Sequence, residues 1–234
     1  MKTLIIGKGN VGTHLFKALE GKTDITLIDS RKMEDFPDGN FLAVLCVKDD
    51  YIESTAKALK GKAFALAHTS GSVTMEVLKP YADHYGVIYP LQTFSKKMEM
   101  NYHEIPFFIE ANDMTTENML SSLASLISNS VTLCDSQKRK YLHLASVFAC
   151  NFSNHLMQIA KELLDDVNID YKVLLPLLSQ SIKKLHLLEP VEAQTGPAAR
   201  QDLKILETHR EMLEDQPELL SLYDLFSNRI MKKL

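Results

Sequence analysis

The sequence predicts an α/β fold: a Rossmann-type, doubly wound, mostly parallel sheet followed by an all-α C-terminal part. Three observations lead there. Short, near-continuous apolar runs alternate with amphipathic stretches as far as about Asp135. Strands of that kind are buried on both faces, which implies a parallel sheet covered by helices. The first run leads straight into Gly7-Lys-Gly9-Asn-Val-Gly12, a G-x-G-x-x-G. After Asp135 the strand signals stop and apolar residues recur at helical spacing only.

In order, Thr3 to Gly7 reads as a buried strand, Val11 to Leu19 as a helix, and Asp24 to Asp29 as the next strand. Phe41 to Val47 is a strand and Asp50 to Leu59 a helix. Further strands are expected at Ala63 to His68, Gly86 to Tyr89, Pro106 to Glu110 and Ser130 to Cys134, with a helix over Thr115 to Ile127. Ser136 to Asp166 reads as one helix of about thirty residues, unusually long for a small globular domain. Tyr171 to Leu187, Gln201 to Leu213 and Pro217 to Lys233 follow as helices, and Glu189 to Arg200 as a loop. The expected boundary gives residues 1–135 as a dinucleotide-binding domain and 136–234 as a helical substrate and dimerisation domain. So many leucines in a helical half of that size call for cover, hence the expected homodimer.

The chain has 234 residues, 45% of them hydrophobic, and a net charge of −4. That balance gives no electrostatic footprint for nucleic acid. The runs Lys138-Arg139-Lys140 and Lys232-Lys233 read as solvated helix faces. Three scattered cysteines, Cys46, Cys134 and Cys150, form no CxxC pair. They argue against a disulfide framework or structural zinc and for a cytoplasmic protein. No signal peptide or membrane span is expected, and no metal site. The absence of a Gly-x-Ser-x-Gly elbow and of a His-Glu-x-x-His leaves acyl transfer and metallohydrolysis without support.

The glycine pattern carries weight because of its context: it follows an apolar strand, opens a helix, and an acidic residue ends the next strand. Gly7 permits the tight turn, Gly9 lets backbone approach a pyrophosphate, and Gly12 lets helix pack on strand. The helix start then offers N–H groups and a positive dipole end to phosphate. Asp29 stands 17 residues after Gly12 and suits the ribose hydroxyls of NAD. Ser30, Arg31 and Lys32 follow it and suit the 2′-phosphate of NADP, with Arg31 as clamp. Three phosphate ligands together tip the balance to NADP, with NAD as the alternative. Candidate cofactor contacts are therefore Gly7, Gly9, Asn10, Val11, Gly12, Asp29, Ser30 and Arg31. Loops at other strand ends add Cys46, Val47, His68, Thr69 and Ser70, since doubly wound sheets bind ligands there. Ser72 is also expected to cap a helix beginning at Val73.

His143, Asn151 and Asn154 lie on the long helix; at 100° per residue Asn151 and Asn154 are about 80° and 20° from His143. This polar stripe lines a cleft or is a solvated face. His143 is the candidate acid or base. Asn151 and Arg200 are candidates to orient a substrate; Arg200 suits a carboxylate, or else pairs with Asp202 at a helix start.

These motifs carry a resemblance. Gly7-x-Gly-Asn-Val-Gly12, His68-Thr-Ser-Gly-Ser72, Tyr89-Pro-Leu-Gln-Thr-Phe94, His143 with Asn151-Phe, and Thr195-Gly-Pro-Ala-Ala-Arg200-x-Asp202 resemble a family of NADP oxidoreductases. That family has a Rossmann-like N-terminal domain and a helical C-terminal domain of unknown function. The chain is similar more distantly to pyrroline-5-carboxylate reductase, prephenate dehydrogenase and 6-phosphogluconate dehydrogenase. The resemblance implies a long interdomain helix and dimers built through the helical domains. One departure is plain: hydroxyacid dehydrogenase relatives place Lys and Asn four apart on the long helix, whereas His143 is followed four residues on by Val147. The function expected is hydride transfer to or from a small imine, keto acid or hydroxy acid. The alternative is a non-catalytic NADP(H)-binding sensor or regulatory dimer.

Overall fold

The structure is a computed structural model that describes residues 1–31, 36 and 40–232. Lys32 and Lys233, both singled out above, lie outside the described residues. Two compact units are present, Met1–His155 and Leu156–Leu234.

The first unit is built on seven strands in the order β2-β1-β3-β4-β5-β6-β7 among the described residues. They are β1 (Lys2–Ile6), β2 (Ile25–Ile28), β3 (Phe41–Leu45), β4 (Ala65–His68), β5 (His84–Pro90), β6 (Phe107–Ala111) and β7 (Val131–Leu133). All pair in parallel except β5 with β6, where Tyr89 stands opposite Phe108. The Rossmann-type, mostly parallel sheet predicted from the apolar runs is what forms. Alternation along each strand divides the core between the two faces. Ile5, Leu42, Val44, Ala65 and Ala67 pack with residues of α1 (Asn10–Leu19) and α3 (Met114–Ser125). Leu4, Ile6, Phe41, Ala43, Leu45 and Leu66 pack with residues of α2 (Ile52–Ala58).

β1 has β2 on one side and β3 on the other. The chain therefore reverses its direction of travel across the sheet between β1 and β3. The crevice beyond the carboxyl ends of those two strands is the ligand position of doubly wound sheets. Gly7 to Gly12 meet Cys46 and Val47 there.

The long helix differs from expectation in one respect. It comprises α4 (Ser136–Ser146), a π-helical stretch over Val147–Phe152, and α5 (Ser153–Asp165). Asp135 caps it, its carboxylate accepting from the Lys138 N–H at 2.8 Å. The division between the units falls within α5. Beyond it come α6 (Leu175–Lys184), α7 (Pro190–Ala193), α8 (Leu203–Met212) and α9 (Pro217–Met231). α7 occupies part of the segment expected to be all loop. It forms because Glu189 and Glu192 make a reciprocal capping box around Pro190. The turn ahead of α6, Tyr171–Leu174, is 3-10 rather than α. No helix of the described residues is long and apolar enough to cross a membrane.

Candidate cofactor site and the His143 pocket

The three glycines of the loop do not have the same cause. Gly7 has φ +117°, and a Cβ on it would lie 2.3 Å from the Cys46 carbonyl oxygen. A Cβ on Gly12 would lie 1.9 Å from the Gly7 carbonyl oxygen. Both are demanded by the fold itself, through turn and close packing. Gly9 is different. It stands at φ −71° and ψ −173°, an extended conformation open to any residue, and its Cβ would meet nothing nearer than the Cys46 carbonyl oxygen at 3.9 Å. Nothing within the chain requires glycine there. The space that a side chain would fill lies at the start of α1, and Gly9 supplies no side-chain cap to the first N–H groups. Such a site suits a phosphate.

Neighbouring residues pin this loop. Asn10 donates from Nδ2 to the Phe94 carbonyl at 2.9 Å. Lys96 donates to the Lys8 carbonyl. His14, two per cent exposed, bonds the Tyr102 hydroxyl through Nδ1 and the Ser95 carbonyl through Nε2, each at 2.9 Å. The segment after β5 is thus held against α1. Val11 is half-buried and packs on the core beneath.

Asp29 and Arg31, whose signals conflicted in the sequence, are partners. Arg31 donates from Nε to Asp29 Oδ1 at 3.0 Å and from Nη2 to Oδ2 at 2.9 Å, and its backbone N–H reaches Oδ1 at 3.1 Å. These hydrogen bonds hold the Asp29 carboxyl well below the usual carboxylate range. The guanidinium is oriented by its carboxylate yet is 85% exposed, so its remaining donors face outward. Ser30 lies between them, half-buried.

At the other strand ends, Cys46 is a buried thiol whose pKa burial pushes up to about 12, so it packs rather than reacts. Val47 beside it is half-buried. Thr69 bonds back to the Leu45 carbonyl through its N–H at 3.3 Å and its hydroxyl at 3.4 Å. His68 is fully buried; Nδ1 accepts from the Ser70 N–H at 3.2 Å and Nε2 donates to the Thr74 carbonyl at 3.3 Å. Burial pushes its pKa down to about 4. The ring is therefore a neutral cross-brace of its loop. The expected Ser72 cap is not made, because no helix begins at Val73: a 3-10 turn starts at Met75 instead. Ser70 does the work, its Oγ accepting from the N–H groups of Ser72 at 3.1 Å and Val73 at 3.0 Å.

His143 sits directly over this loop. A Cβ on Gly71 would approach its ring to 2.8 Å, so only glycine admits the imidazole. Its Nδ1 lies 3.1 Å from the hydroxyl of Tyr89, which is buried at the end of β5. Ser146 donates to the His143 carbonyl at 2.7 Å. One turn before His143, Arg139 corrects the reading of its cluster as a solvated face. Lys138 and Lys140 are exposed, but Arg139 is wholly buried. It pairs with Glu110 on β6 and donates to the Val73 carbonyl at 2.6 Å. Glu110 also accepts from the Ser136 N–H at 2.8 Å and hydroxyl at 2.7 Å. This network fastens α4 to the sheet and sets His143 in place. A carboxylate inside an apolar strand was the sequence signal for it, since buried charge demands a partner.

Asn151 lies in the π-helical stretch and Asn154 in α5. A π turn closes i→i+5 bonds and rotates less than 100° per residue. Asn151 consequently lies nearer the azimuth of His143 than a regular helix puts it, while Asn154 is carried away. Arg200 lies in the second unit, exposed, in the turn before α8. Asp202 caps that helix, accepting from the Ile205 N–H at 3.3 Å, and among the described residues makes no ion pair with Arg200.

The family model described as domain of unknown function (DUF2520) matches residues 105–230. The chain belongs to that family. Among solved structures, a "putative NADP oxidoreductase" from Bacteroides fragilis is 37% identical, with a TM-score of 0.92 over 99% of this chain and 98% of that one. A protein from Thermotoga maritima is 24% identical, TM-score 0.75, over 98% of this chain and 97% of that one. A reductive aminase from Aspergillus terreus, in complex with NADPH and ethyl levulinate, is 17% identical, TM-score 0.69, over 99% of this chain and 94% of that one. The last two share the fold. No curated protein matches the sequence.

Proposed function

We propose that the protein is an NADP(H)-dependent oxidoreductase acting on a small polar metabolite, an imine, keto acid or hydroxy acid. One observation carries the cofactor reading: Gly9 is a glycine that the fold does not need, at a helix start beside two that it does. The description of the 37% identical Bacteroides fragilis protein as a "putative NADP oxidoreductase" supports the same reading. The oriented, outward-facing Arg31 guanidinium supports NADP over NAD, because a carboxylate already engaged by arginine is a poorer ribose ligand and a better guanidinium holder.

In this reading Gly7, Gly9, Asn10, Val11 and Gly12 hold the pyrophosphate, with Arg31 and Ser30 on the 2′-phosphate. Cys46, Val47 and the His68–Ser70 loop form the wall toward the nicotinamide, His68 by bracing the loop and not by contact. Bound there, the nicotinamide would supply or accept hydride. His143 moves the accompanying proton, and Asn151 holds a polar group of the substrate; Arg200, in the second unit, is a candidate carboxylate ligand on the chemistry of its guanidinium alone. Residues 1–135 bind cofactor, and 136–234 serve substrate and a homodimer. The exposed Leu177, Leu187, Leu203, Met212 and Leu225 support the dimer, as apolar surface in need of cover. The cytoplasmic location expected from the sparse thiols belongs to the same proposal.

The test is oxidation of NADPH with a panel of small imines and 2-oxo acids, and reduction of NADP with hydroxy acids. Turnover by the wild type that His143→Ala lowers by about 100-fold or more supports the reading. Full turnover in His143→Ala removes His143 from the chemistry. Tight NADPH binding with no oxidation by any compound favours the sensor instead.

A further inference from the structure

We propose that Tyr89 is the positioning residue of His143: its hydroxyl donates to Nδ1 and fixes the imidazole as the Nε2–H tautomer. The role of that tautomer as a proton donor rests on the function proposed above; the pairing itself does not.

The geometry is closed on three sides. Gly71 admits the ring from below, with room for no Cβ. Tyr89 meets it edge-on, ring centroids 6.1 Å apart and planes at 77°, with its hydroxyl 3.1 Å from Nδ1. Arg139, fully buried on the preceding turn, locks the helix to Glu110 and to the Val73 carbonyl. The Tyr89 ring is itself fixed, packed at 6.5 Å from Phe108 on the neighbouring strand. Burial raises the Tyr89 pKa, so the phenol keeps its proton. A buried hydroxyl that keeps its proton must donate it. The Ser146 hydroxyl also lies beside it, giving its own proton to the His143 carbonyl, and His143 Nδ1 at 3.1 Å is the partner in hydrogen-bond geometry. A nitrogen that accepts carries no proton in the neutral ring; the proton then resides on Nε2. Among the described residues Nε2 has no hydrogen-bond partner, leaving that N–H for a ligand. Fixing the tautomer through the distal nitrogen is how proton-transferring histidines are commonly prepared.

The decisive measurement is the ¹⁵N spectrum of the histidine side chains in the full-length protein above neutral pH, with His143 assigned by its loss in His143→Gln. We expect an unprotonated Nδ1 and a protonated Nε2 in the wild type. Tyr89→Phe keeps the ring and its packing and should convert His143 to an averaged mixture of tautomers. A wild type that already shows Nδ1–H or an average overturns the proposal, as does a folded Tyr89→Phe with unchanged His143 shifts. The wild-type spectrum decides the matter even where the variant fails to fold. With a turned-over substrate, Tyr89→Phe should lower kcat at least about tenfold with KM within about twofold. An unchanged kcat would remove the positioning role. A fixed tautomer in a protein that oxidises NADPH with no compound would count against the oxidoreductase reading and leave the pair intact.

Discussion

Acidification should destabilise this protein through His68. The ring is buried without charge, accepting from Ser70 and donating to Thr74, and cannot take a proton without losing the Ser70 bond. Its pKa falls from the ordinary 6.5 to about 4 in the fold. A depressed folded value means that the unfolded chain binds the proton first as pH falls. Stability is then full above about pH 6.5 and declines toward pH 4, where the folded form begins to protonate too. Two and a half units of difference at about 1.36 kcal/mol each set a ceiling near 3 kcal/mol. Urea unfolding followed by circular dichroism at pH 7 and pH 4 measures it, with His68→Gln as control. Glutamine keeps a donor for Thr74 and has no proton to gain. Other groups titrate alike in both proteins, so the wild type should lose about 3 kcal/mol more than the variant, a midpoint difference of about 1 M. Equal losses in the two proteins would refute the buried neutral histidine.

Other outcomes follow from the same contacts. Glu110→Ala strips Arg139 of its buried partner and should cost about 3–5 kcal/mol, lowering Tm by about 6–20 °C in a thermal scan; a shift under about 2 °C would contradict the network. Gly12→Ala sets a methyl against the Gly7 carbonyl and should yield insoluble or largely unfolded protein, read by expression and circular dichroism. Arg31→Ala should weaken NADPH binding about tenfold or more while leaving NADH within about threefold, since only the former carries the 2′-phosphate; equal losses would assign Arg31 elsewhere. Light scattering should give a mass twice that of the chain, and Leu187→Glu or Leu203→Glu should shift it toward one; a wild-type monomer at micromolar concentration rejects the dimer.

What the sequence showed clearly was local. Strands buried on both faces announce themselves as apolar runs, and the glycine loop shows as three glycines within six residues between a strand and a helix, so both were legible. The start of the long helix at Ser136 was legible, where Asp135 caps the first turn, whereas the helix expected from Gln201 begins only after its cap Asp202. The site around His143 was legible only in part, because its partners come from far along the chain. Tyr89 stands 54 positions away, and Glu110 is 29 positions from Arg139. A basic triplet looks the same whether or not its middle residue turns inward. The π-helical stretch left no mark either: Val147 to Phe152 are residues that an ordinary helix accepts, and one widened turn depends on the packing of the whole helix. The Asp29–Arg31 pair was within reach, two residues apart, but each was read for what it offers a ribose and not for what it offers the other.

The central claim is that Gly9 is kept open for a dinucleotide phosphate. NADPH titration of wild type and Gly9→Ala, by nicotinamide fluorescence, tests it most directly, alongside thermal scans of both. Gly9 has no φ that alanine cannot adopt and no neighbour for a methyl to strike. The two proteins should therefore melt within about 4 °C of each other, the size of an N-cap change. The variant should bind NADPH at least about tenfold more weakly, a difference of about 1.4 kcal/mol. A Gly9→Ala protein that folds normally and binds NADPH as the wild type does would contradict the account.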